Sequence, residues 1–108
     1  MKKAVIYARY SAGSGQTDQS IEGQGRECKK YIKQNKLILV DTYADRHITG
    51  RTDRRPEFQR MIDDAKSGAF EVVVVYTTDR FSRSKYDSVV YKKQLKDLGV
   101  DIRYAAEN

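Results

Sequence analysis

The chain has one cysteine, one proline and one histidine among its 108 residues, and each scarcity excludes something. A lone Cys28 cannot close a disulfide within the chain. It falls in a helical pattern, where a packed thiol is the expected role rather than a reactive one. No apolar run approaches the roughly 20 residues of a membrane helix. Met1-Lys2-Lys3 leads only into a short apolar stretch ending at Arg9, too brief for a secretory leader. A reducing, cytoplasmic setting and no membrane partner are therefore expected. His47 stands alone among charges, so no metal cluster is visible, and neither a metal nor any other cofactor is expected. Gly13 and Gly15 lack both the Gly-Lys-Ser/Thr ending of a nucleotide-binding P-loop and the third glycine of a dinucleotide fold. Arg9 occupies the place where a phospho-receiver module needs acidic residues. The eight tyrosines form no ladder suited to stacking on single-stranded bases.

What is present is charge and alternation. The 21 Lys and Arg exceed the 15 Asp and Glu, giving +6 and a pI near 9.5. Such an excess suits either good solubility or a polyanionic partner such as DNA or RNA. The length fits one domain. Ala4 to Ala8 is a compact apolar run that reads as a strand buried on both faces. Residues 11–20 are polar and without an apolar period, hence a loop. Ser20 is the expected N-cap of a helix that ends near Asn35, with Ile21, Cys28, Tyr31 and Ile32 near one face. Leu37 to Val40 predicts a second strand, and Asp45 to Arg55 a mobile polar loop. Pro56 opens a helix through Phe58, Met61, Ile62 and Ala65, which Gly68 ends. Val72 to Tyr76 is the strongest strand pattern, β-branched and without polar alternation, so central and parallel. A last helix runs from about Lys85 to Leu98, with Tyr86, Val90, Leu95 and Leu98 roughly on one side and Gly99 as its stop. Val100 to Tyr104 forms a fourth strand. Strands alternating with helices in this order predict an α/β sandwich with a mostly parallel four-stranded sheet and right-handed crossovers.

Open α/β sheets bind ligands beyond the carboxyl ends of their strands. The first such end supplies Arg9 and Ser11. The third supplies Asp79, Arg80 and Arg83, and the intervening loop adds Arg51, Arg54 and Arg55. If the first and third strands are neighbours, one hydroxyl, three guanidinium groups and a carboxylate converge. Breaking a phosphodiester with an enzyme hydroxyl needs a positioned nucleophile, cations on the non-bridging oxygens and help for the leaving alkoxide. Arginine meets the second need, because its planar fork grips phosphate through paired hydrogen bonds and stays charged. Each of these residues has a plainer role available. Ser11 can make a local turn bond, the arginines can form surface ion pairs, and Asp79 can cap a helix or pair with an arginine.

Four segments taken together resemble the serine recombinases, the resolvase and invertase family, with the flavour of its large integrase and transposon-recombinase branch. They are Tyr7-Ala8-Arg9-Tyr10-Ser11, Ser20-Ile21-Glu22-Gly23-Gln24, residues 50–61 from Gly50 to Met61, and Asp79-Arg80-Phe81-Ser82-Arg83. This resemblance implies a resolvase-like three-layer sandwich spanning residues 1–108. It also implies site-specific DNA recombination by transesterification, with Ser11 forming a 5′-phosphoserine link to double-stranded DNA and freeing a 3′-hydroxyl. By the same resemblance Arg9, Arg80 and Arg83 surround the scissile phosphate, and Asp79 is the carboxylate beside them, as general acid or as structural support. Gln24 supports the pocket from the first helix, and either Arg55 or Arg54 reaches in from the mobile loop.

The sequence departs from the family pattern in that Ala12 follows Ser11 where a second Ser or Thr is usual, and Asp64 stands where small recombinases carry a lysine. The resemblance further implies a long assembling helix and DNA-binding domains after the catalytic sheet. The chain is accordingly expected to be truncated before them and, by itself, inactive and largely monomeric, while the full-length protein self-associates into dimers and tetramers. The competing expectation is a catalytically silent, recombinase-like fragment that binds only DNA or a protein.

Overall fold

The four valines Val72–Val75 are buried without a break, which a strand achieves only when it is interior to a sheet covered on both faces. The computed structural model describes residues 2–11, 18–48, 56–76 and 85–106, with the side chains of residues 9–11, 18–22, 46–48 and 85–88 outside that description. Among the described residues, strands and helices alternate as β1 (Lys3–Ser11), α1 (Asp18–Gln34), β2 (Ile38–Ile48), α2 (Pro56–Lys66), β3 (Val72–Val75), α3 (Lys85–Asp97) and β4 (Asp101–Tyr104). The sheet order is β2-β1-β3-β4, and every pairing is parallel. The α/β sandwich expected from sequence is therefore the one observed. None of the described helices is long and apolar enough to cross a membrane.

The two-residue period of a strand sorts the core into two layers. Val5, Tyr7, Val73 and Val75 point to one face, where they meet Phe58, Met61, Ile62 and Ala65 of α2 and Leu95 of α3. Ala4, Ile6, Val72 and Val74 point to the other, where Cys28 and Ile32 of α1 cover them. Each fully buried valine contributes about 1.5 to 3 kcal/mol relative to an exposed one. Phe58 joins three elements on the first face. Its ring stands edge-on to Tyr7 with centroids 5.2 Å apart and to Tyr91 with centroids 4.7 Å apart.

One buried carboxylate ties the upper rim of this face together. Asp45, only 3% exposed, accepts the Tyr7 hydroxyl on Oδ2 at 2.8 Å. It also accepts the amides of Glu57 on Oδ1 at 3.0 Å and of Phe58 on Oδ2 at 3.1 Å. Those two amides belong to the first turn of α2, where a helix has no partners of its own, and Pro56 before them has no N–H to satisfy. A residue of β2 thus caps α2 while holding β1.

The helix ends follow one plan with one exception. Gly68 and Gly99 close α2 and α3 at φ of 79° and 80°. In each case the next amide returns to the last turn, Ala69 to the Asp64 carbonyl at 3.1 Å and Val100 to that of Leu95 at 2.8 Å. Leu37 makes the same return to Ile32 at 2.9 Å, but the left-handed residue before it is Lys36, at φ 56°. A Cβ there is unfavourable by roughly 1 to 2 kcal/mol.

Several boundaries differ from the sequence expectations. β2 runs to Ile48 rather than ending at Val40, so Asp45 to Ile48 is strand and not loop. Its polar composition reflects an edge strand, with Asp41 and Thr42 exposed, while pairing along nearly all of β1 fixes its conformation. α1 begins at Asp18, which places Ser20 inside the helix instead of at its cap. On α3 the inward residues are Leu95, fully buried, and the half-buried Tyr91, an i, i+4 pair. Val90 and Leu98 are 43% and 38% exposed, and the side chain of Tyr86 lies outside the described residues.

Two outcomes follow. Asp45→Ala strands two amides and a buried hydroxyl and is expected to lower unfolding free energy by about 2 to 4 kcal/mol in urea titration; an unchanged midpoint would contradict the anchoring role. Burial, with a smaller contribution from Glu27, pushes the Cys28 thiol from its ordinary 9.0 up to about 12. Its stabilising share is therefore complete below the unfolded value and lost as pH rises from about 9 towards 12. Thiol-reactive dye is expected to label Cys28 at mildly alkaline pH only after denaturant is added, and rapid labelling of the folded chain would refute the packed thiol.

Candidate active site

The carboxyl ends of β1 and β3 lie side by side. Their register runs from Ala4 opposite Val72 to Tyr7 opposite Val75, so the neighbour relation that the convergence of the two strand ends requires is met. Beyond Tyr7, β1 continues along β2, with Arg9 opposite Asp45 and Ser11 opposite Ile48. The register slips between Arg9 and Ser11. Such irregularities bend a strand and redirect its side chains, and they are common beside active sites. Arg9 and Ser11 thus occupy the last two odd positions of a strand that emerges from the buried core at the rim. Their side chains lie outside the described residues, as do Asp79, Arg80 and Arg83 after β3 and Arg51, Arg54 and Arg55 before α2.

Gln24 is described, and its position departs from that of an ordinary helical glutamine. It is only 4% exposed, four and eight residues before Cys28 and Ile32, on the stripe of α1 that faces the sheet. Because α1 returns antiparallel to β1, its N-terminal part is the part nearest the strand ends. The position fits a residue that supports the rim from beneath.

Asp64, at the place where small recombinases carry a lysine, is engaged elsewhere. The Tyr43 hydroxyl donates to its Oδ2 at 2.6 Å, and burial followed by this bond raises the Tyr43 pKa. Arg60 lies 4.3 Å over the Tyr43 ring, donates from Nε to Glu57 at 2.9 Å and from Nη1 to Asp41 at 3.2 Å, and approaches Asp64 to 3.9 Å. Asp64 and Arg60 therefore strap α2 onto β2.

The residue that sequence reasoning missed is Asp45. Capping rules look immediately ahead of a helix, and Asp45 precedes Pro56 by eleven positions. Only the strand pairing that sets it opposite Arg9 brings it to the first turn of α2. Its signal in the sequence is one acid among the charges that follow an apolar run, too common to single out.

Comparison with known proteins agrees with this architecture. The N-terminal catalytic domain of TP901-1 integrase superposes with a TM-score of 0.83 and 34% identity, over 98% of this chain and 78% of that one. A resolvase family site-specific recombinase from Streptococcus pneumoniae gives 0.84 and 27%, over 97% and 72% of the two chains. The Transposon Tn552 DNA-invertase BinR of Staphylococcus aureus is 34% identical over 62 residues, which are 57% of this chain and 31% of that protein. The chain spans less than a third of the length of the curated relatives it matches. Residues 4–108 match the family model described as the N-terminal domain of resolvase, and the chain belongs to that family, the serine recombinases.

Proposed function

We propose that this chain is the catalytic domain of a site-specific DNA recombinase that cuts duplex DNA with Ser11. The observation that carries the reading is the side-by-side emergence of β1 and β3, one delivering Arg9 and Ser11 and the other leading into Asp79, Arg80 and Arg83. In the proposed step the Ser11 oxygen attacks the phosphorus, an O–P bond to the serine forms, and the bond to the 3′ oxygen breaks. The serine gives up its proton and the departing 3′ oxygen takes one, leaving a 3′-hydroxyl and a 5′-phosphoserine link. Arg9, Arg80 and Arg83 hold the non-bridging oxygens and oppose the charge that accumulates on them. Asp79 supplies the proton or orients an arginine, Gln24 supports the pocket, and Arg51, Arg54 and Arg55 approach the DNA from the segment before α2. The phosphoserine link keeps the energy of the broken bond, so rejoining needs no nucleotide. In the whole protein the partners are double-stranded DNA and further copies of the same chain, as dimer and tetramer.

A full-length protein bearing this domain, incubated with a pool of nicked duplexes, is expected to yield a phosphopeptide containing Ser11 by mass spectrometry. An adduct that survives Ser11→Ala would reject the nucleophile. Arg80→Ala is expected to leave the circular dichroism spectrum unchanged and to slow cleavage by on the order of 10²- to 10³-fold; cleavage at the unaltered rate would remove Arg80 from the site.

A further inference from the structure

Among the described residues, a ridge of cations lines the outer surface of one layer. From Gly23 to Lys36 there are five cations, Arg26, Lys29, Lys30, Lys33 and Lys36, against the single carboxylate Glu27. All five cations are exposed. At 3.6 residues per turn, Arg26, Lys30 and Lys33 lie within about 60° of the direction opposite the buried Cys28 and Ile32, with Lys29 flanking them. They form a ridge along the outer surface of α1, which alone covers its face of the sheet among the described residues. Among those residues none of the five has an ion-pair partner. Arg60, Lys93 and Arg103 elsewhere do, pairing with Glu57 and Asp41, with Asp97 and with Asp101. The layer of α2 and α3 is close to neutral, its six Lys and Arg standing against five Asp and Glu on the helices and Asp41 beside them.

Lys36 gives a second, independent observation. The same left-handed position is filled by glycine at the ends of α2 and α3, where the conformation is free of strain. At the end of α1 it is filled by an exposed lysine that bears that strain. Strain kept where glycine would relieve it marks a side chain with a use.

We propose that the outer face of α1 contacts the phosphate backbone of double-stranded DNA, as a sequence-independent surface separate from the strand-end centre. The inference rests on the functional reading only in choosing DNA as the polyanion. From Arg26 to Lys33 the ridge extends about 10 Å, comparable to the roughly 12 Å width of a major groove, so flexible side chains reach phosphates on both of its walls. Cations on such a ridge release condensed counterions, and affinity falls with salt in proportion to the contacts made. The surface would hold flanking duplex while the strand ends engage the scissile phosphate.

The test is fluorescence anisotropy of the 108-residue chain with a short labelled duplex of arbitrary sequence, across a salt series. Replacing Arg26, Lys30 and Lys33 together by glutamine is expected to flatten the log–log salt slope by about 3 and to weaken binding on the order of 100-fold near 0.1 M salt. Lys66→Gln on α2 is expected to leave both unchanged. Lys36→Gly is expected to raise the melting temperature and yet weaken DNA binding several-fold, a split that a purely structural lysine would not give. An unaltered slope in the triple variant overturns the proposal, as does an unaltered affinity in Lys36→Gly or binding to polyglutamate without binding to duplex DNA. Loss of the ridge effect beside an intact Ser11 adduct sinks this inference alone, and a missing adduct beside an intact ridge sinks the catalytic reading alone.

Discussion

The arrangement depends on a carboxylate that is spent three times. Asp45 receives a hydroxyl from β1 and two amides from α2 while being itself part of β2, so three elements are held at one height where the sheet ends. Burial strengthens this junction, because in a dry setting each unmade bond would leave a donor without water. Phe58 doubles it: the residue whose amide reaches Asp45 also packs its ring on Tyr7, the residue whose hydroxyl reaches the same carboxylate. Polar and apolar contacts between the same three positions fix the point from which β1 runs on to Arg9 and Ser11.

The rest of the sandwich separates two tasks. On the α2 side, acids and Arg60 satisfy one another in a strap across β2 and Tyr43. On the α1 side, the cations face outward without such partners among the described residues. A sheet covered this way presents one internally neutralised layer and one positive layer, with the strand ends between them. Such polarity favours the approach of a polyanion in one orientation before any specific contact forms.

How much of this was legible in the sequence follows from how local each cause is. β3 could be read because four consecutive β-branched residues have no other good home than a covered parallel strand. α2 could be read because a proline, an i, i+3, i+4, i+7 pattern and a glycine agree over the thirteen residues from Pro56 to Gly68. The length of β2 could not, since its second half is polar and becomes strand only by pairing with β1. The inward face of α3 was misassigned because Val90 and Leu98 are as apolar as Leu95, and only the fit against the sheet selects Tyr91 and Leu95. Asp45 and the burial of Gln24 were invisible for the same reason: each is defined by what another element brings to it. Family resemblance supplied the proposed roles of Ser11 and the arginines, which local physical rules alone left open between phosphate binding and ordinary surface pairing.

The central claim is that one hydroxyl and three guanidinium groups share a single phosphate. The most direct measurement is a crystal structure of this domain with duplex DNA, at a resolution that places the Ser11 side chain. The account expects the Ser11 oxygen about 3 to 3.5 Å from a phosphorus atom, in line with the 3′ oxygen, and Arg9, Arg80 and Arg83 on the non-bridging oxygens of that same phosphate. A serine hydroxyl turned into a local backbone bond, with those arginines paired to carboxylates of the protein, would contradict it.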